Sequence, residues 1–165
     1  MARFRRFDVV VPAEAGDEQL EAVRERRAGF RAAMSDLERA VAAPAPGRID
    51  EWTAGARSAL DRVRDIVDRH IFATEAPGGF LDEIVEAQPR LANQAQRLRD
   101  EHGEIVDAMS AASARLRAGT SFAPDEWVEA MRDRLLVLLG VLARHRQRGA
   151  DLVYEAYAVD IGGDG

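Results

Sequence analysis

The stretch DEWTAGARSALDRVRDIVDRH fills residues 50–70, and DEWVEAMRDRLLVLLGVLARH fills residues 125–145. Both open on Asp-Glu-Trp and both close on Arg-His. The tryptophans (Trp52, Trp127) and the histidines (His70, His145) are separated by the same 75 positions, and seven of the 21 aligned residues are identical. Unrelated sequences would share roughly one or two, given background frequencies. The same offset carries Met34-Ser35 onto Met109-Ser110 and Arg27 onto His102. The pattern reads as two helical hairpins related by an internal repeat.

Hydrophobic spacing around these stretches is helical throughout. Leu20, Val23, Arg27, Phe30, Met34, Leu37 and Val41 alternate steps of three and four, the seam of a helix packed in a bundle. AAPAPG at 42–47 ends that helix. A second helix, from about Asp50 to about Glu75, aligns Trp52, Ala56, Leu60, Val63, Ile66, Val67, His70 and Ile71 on one face. APGG breaks it, and FLDEIVEA at 80–87 reads as a short extra helix. The next is expected to open near Pro89, with a seam of Leu91, Ala95, Leu98, His102, Ile105, Met109, Ala112 and Leu116. The last opens at Pro124 and carries Trp127, Met131, Leu135, Leu138, Leu142 and His145. No period-two pattern competes. The expectation is one all-α domain over residues 1–165, an antiparallel up-down four-helix bundle with loose termini at 1–16 and 159–165.

Composition narrows the function classes. Net charge is −6, and all 23 basic residues are arginine. An acidic balance argues against a nucleic-acid binder, which needs a basic stripe to neutralise phosphates. The chain has no cysteine, which removes disulfides, thiolate metal sites and cysteine nucleophiles. No apolar run is long enough to span a bilayer, and the N-terminal run is too short for a signal-peptide core, so a cytoplasmic protein is expected.

There are only three histidines, and each lies on the apolar face of a different helix. His70 sits with Val63, Ile66 and Val67, His102 with Leu98, Ile105 and Met109, and His145 with Leu138, Val141 and Leu142. Imidazole is the commonest side-chain metal ligand, and sites inside bundles are built from facing helices. Three imidazoles and a carboxylate suit zinc or iron. The competing reading gives each histidine its own backbone or carboxylate partner. Counting rise per residue from the expected helix ends sets His102 and His145 roughly one turn apart along the axis. No phosphate loop, Ser-His-Asp order or acid pair supports catalysis.

Taken together, VDRHIFATEAPGGFLDEIVEAQPRLANQAQRLRDEHGEIV (67–106) and LLGVLARHRQRGADLVYEAYAVDIGG (138–163) resemble the hemerythrin-like, HHE cation-binding family. An inward histidine is followed by a carboxylate, a small helix, Glu-His, and a last-helix histidine. The similarity runs from about Glu18 to Asp160. It implies an up-down four-helix bundle around a di-iron centre, with His70, Glu75, His102 and His145 as metal ligands here. The chain departs from the family's ligand set at Arg27, Thr74, Val106, Gly149 and Ala150. At most one carboxylate remains, and bridging carboxylates are what hold two irons together.

The expectation is therefore a non-enzymatic bundle that binds at most one iron or zinc ion, or that keeps the fold with the metal lost. An interaction module for a protein partner and a small iron-dependent oxygen-sensing module stand as alternatives. A further expectation concerns Arg27. The seam aims it inward, where its guanidinium would stand in for a metal charge by bonding Glu75 or Glu101, unless its stem snorkels outward.

Overall fold

The structure, a computed structural model, describes residues 17–120 and 122–158. The side chains of 17–24, 26, 27 and 158 lie outside that description, and so do both expected loose termini. The role expected of Arg27 therefore falls outside the described residues.

Every described element is helical. They are α1 (Asp17–Ala42), α2 (Ile49–Glu75), α3 (Phe80–Ala87), a 3-10 turn (Pro89–Leu91), α4 (Ala92–Ala118) and α5 (Pro124–Ala158). The expected opening of the third long helix at Pro89 is instead this 3-10 turn. Proline suits a first turn because it lacks the N–H that would go unpaired there. Gly79 makes the α2–α3 corner possible. A Cβ on it would lie 2.7 Å from the Ala76 carbonyl oxygen, so the chain can fold back this tightly only at glycine.

Each of the four long helices packs against two others: α1 on α2 and α5, and α4 on α2 and α5. Their apolar faces enclose one large cluster that includes Leu37, Val41, Trp52, Leu60, Val63, Ile105, Met109, Leu116, Leu135 and Leu142. The α4 seam read from the sequence is buried along its whole length. A second, smaller cluster joins Leu81 and Ile84 of α3 to Leu91, Ala95 and Leu98 and to Leu152, Val153 and Ala156 of α5. The short helix thus seals the far end of the assembly.

At the opposite end Trp52 and Trp127 meet edge to face, with ring centroids 6.2 Å apart. Arg132 fastens this end. Its guanidinium donates to the Val41 carbonyl (3.1 Å) and the Ala43 carbonyl (2.7 Å), and stands 5.7 Å from the centroid of Trp52. Trp52 Nε1 donates to the same Val41 carbonyl. The last carbonyls of a helix have no partner within it, and the negative end of its dipole favours a cation there. Arg132→Ala is expected to cost about 1–2 kcal/mol in urea unfolding. Arg57, its counterpart at the 75-residue offset, is exposed, so Arg57→Ala should change stability by less than about 0.5 kcal/mol. Equal costs would show that Arg132 is not a clamp.

Ser113 is the exception to a well-satisfied interior. Its hydroxyl is buried and has no hydrogen-bond partner among the described residues. A buried hydroxyl that has lost water without gaining a partner is destabilising. Ser113→Ala is expected to raise stability by about 1 kcal/mol, read as a shift of the urea midpoint at constant slope.

Candidate metal centre

The histidines occupy seam positions that would otherwise be apolar. His102 is followed by Ile105 and preceded by Leu98, and His145 follows Leu142 by one step of three. Leu98 belongs to the smaller apolar cluster, Ile105 and Leu142 to the larger. The imidazoles therefore form a thin polar layer between two apolar ones. His102 and His145 are buried, and His70 is half-buried with the edge of Phe30 against it.

The layer is tight. His102 Nε2 lies 3.0 Å from His145 Nε2, which lies 3.4 Å from His70 Nε2. One nitrogen from each ring falls within 4.8 Å of the others. The axial offset counted from the sequence is absorbed, because the connection between α4 and α5 lets α5 start beyond the end of α4.

Behind two of the rings stand carboxylates. His102 Nδ1 pairs with Glu75, and His145 Nδ1 lies 2.8 Å from Glu101 Oε2. An ionised carboxylate only accepts hydrogen bonds, so each Nδ1 must carry the proton. In a neutral imidazole that leaves Nε2 as a bare lone pair. The 3.0 Å approach of two such nitrogens is then not a hydrogen bond between neutral rings. A cation between them, metal ion or proton, would make the arrangement favourable.

Burial favours the neutral form of His70 and of His145. His70 is lowered to about 4, first by burial and then by the neighbouring His102 and His145. His145 is also lowered, mainly by burial, with the hydrogen bond to Glu101 opposing. For Glu101 burial alone would raise the pKa, but hydrogen bonds from His145 and Arg148 hold it below its usual value. Neutral imidazole is the form that binds metal.

Two of the three separations, 3.0 and 3.4 Å, are near those an ion needs. Metal–nitrogen bonds of about 2.0–2.1 Å place two ligand nitrogens of a tetrahedral site roughly 3.3–3.4 Å apart. The donors are of the right type for zinc or iron. Metal-bound histidines also characteristically donate their other N–H to a carboxylate, which fixes tautomer and orientation. His102 and His145 both have that support.

The structure brings His70, His102 and His145 together. Glu75 comes to the same place, but its carboxylate meets the outer nitrogen of His102, behind the ring. Glu101, expected from the sequence only as an alternative partner of Arg27, belongs to the site as the partner of His145, and Arg148 joins it. Arg148 Nε sits 2.6 Å from Glu101 Oε1. Its spacing of three residues from His145 puts the two on one side of α5, which was a usable signal. Tyr154, in contrast, is exposed, and Tyr157 packs on the small cluster. No family model, no curated protein and no solved structure matches this chain.

Proposed function

We propose that this chain is a divergent hemerythrin-like up-down bundle that holds one metal ion, zinc or iron, through His70, His102 and His145. Its role is binding rather than catalysis. The observation that carries the reading is the apposition of three Nε2 atoms whose rings are tied from behind by Glu75 and Glu101. Both carboxylates are engaged by Nδ1 nitrogens, so neither is placed to bridge a pair of irons. Trp52 lies 18 residues before His70 and Trp127 lies 18 before His145; the two tryptophans meet each other, and so do the two histidines. That supports α2 and α5 running in the same sense, as a repeated hairpin requires. No helix among the described residues is long and apolar enough to cross a membrane.

The test is elemental analysis of protein purified without an immobilised-metal column. We expect close to one equivalent of zinc or iron per chain. Two equivalents would restore a dinuclear centre. None, with no uptake on adding zinc or ferrous iron under argon, would leave a histidine cluster without a metal role.

A further inference from the structure

The two supporting carboxylates are chemically similar but differently held. Glu75 has His102 as its one hydrogen-bond partner among the described residues, and its side chain is 31% exposed. Glu101 is 17% exposed, and both of its oxygens are occupied. Oε2 accepts from His145, and Oε1 accepts from Arg148. A carboxylate behind a ligating imidazole strengthens it as a donor by drawing on the Nδ1 proton. A guanidinium on the same carboxylate draws charge the other way. His102 therefore has undiluted support, whereas His145 shares its carboxylate with a fixed positive charge.

Resting on the reading of the three histidines as metal ligands, we propose that Arg148 sets the affinity of the site by weakening His145 through Glu101. Arg148 is a positioning residue three steps along α5 from the ligand it governs, and its contact at the site is with Glu101 Oε1. It makes His145 a weaker arm than His102, the other carboxylate-backed ligand. The site is held below its attainable affinity by a residue at the surface, and a partner or anion that drew Arg148 away would tighten it.

Arg148 is 48% exposed on its side chain, so replacing it leaves the core intact. The experiment measures zinc affinity by chelator competition, and the visible bands of the cobalt(II) form, in four chains. These are the wild type, Arg148→Met, Glu101→Gln, and the double variant. Arg148→Met should bind zinc about tenfold more tightly, and Glu101→Gln about 10–100-fold more weakly. The double variant should match Glu101→Gln, because the arginine acts only through that carboxylate. The cobalt bands should shift in Arg148→Met and not between Glu101→Gln and the double variant.

Three results overturn the proposal. Weaker binding in Arg148→Met, repeated in Arg148→Gln, would make the arginine a structural prop. Tighter binding that persists in the Glu101→Gln background would make it a direct repulsion of the metal. Unchanged affinity and bands would give it no role at the site. All three presuppose zinc or cobalt binding by the wild type. If that is absent, the metal reading itself fails and this one falls with it.

Discussion

Zinc at a hundredfold excess over its dissociation constant will stabilise the folded chain by about 2.7 kcal/mol, and His102→Ala will abolish the gain. The size follows from mass action on a ligand that binds only the folded state. The three nitrogens come from α2, α4 and α5, and the unfolded chain has no such constellation. In a chain of this length each kcal/mol moves the melting temperature by roughly 2–4 °C, so the expected rise is about 5–10 °C. His102 is the variant of choice because its Nε2 faces His145 and its Nδ1 holds Glu75. Melting curves with zinc and with chelator, for both proteins, isolate the metal contribution from any direct cost of the substitution. A wild-type gain below about 0.5 kcal/mol, or an equal gain in the variant, would refute the three-histidine site.

With chelator present, stability is expected to fall by about 3 kcal/mol as pH drops from 6.5 to about 4. His70 drives the effect. Burial and its two histidine neighbours lower it to about 4 in the folded chain, against 6.5 when free. Between those values the unfolded state binds the proton and the folded state does not, so acid favours unfolding. Stability is thus full above pH 6.5 and is lost on the way down to about 4. His145, also lowered, adds in the same direction. Glu101, whose pKa is lowered as well, withdraws its share at still lower pH, as its carboxylate takes a proton. Urea unfolding at pH 7, 5.5 and 4 measures the slope, and His70→Gln should flatten it. A wild-type slope no steeper than that of the variant would show that the buried rings do not govern the acid limb.

The helices were legible because burial follows a period. Every residue from Leu91, at the end of the 3-10 turn, to Leu116 of α4 picked on three- and four-residue steps is buried, and the histidine within that series is buried too. The meeting of three histidines could be anticipated from their placement on inward faces. Their partners could not. Glu101 is adjacent to His102 in sequence yet bonds His145, and His102 bonds Glu75 from another helix. Successive residues on a helix point about 100° apart, so sequence neighbours are poor candidates for side-chain pairs. The same limit hides Arg148, one of several arginines close together on the last helix. The role of α3 was hidden for a different reason. Eight residues show that a helix forms, but which two helix ends it seals depends on how the long helices are already packed.

The separation of positions 70, 102 and 145 along the chain also has a kinetic meaning. The site exists only once three distant segments have docked, a late event, since long loops must close before such contacts form. A metal ion that binds this layer would leave the folding rate nearly unchanged and act on the reverse step, slowing escape from the native state. Holding the ion would then lengthen the lifetime of the folded protein more than it would hasten its birth.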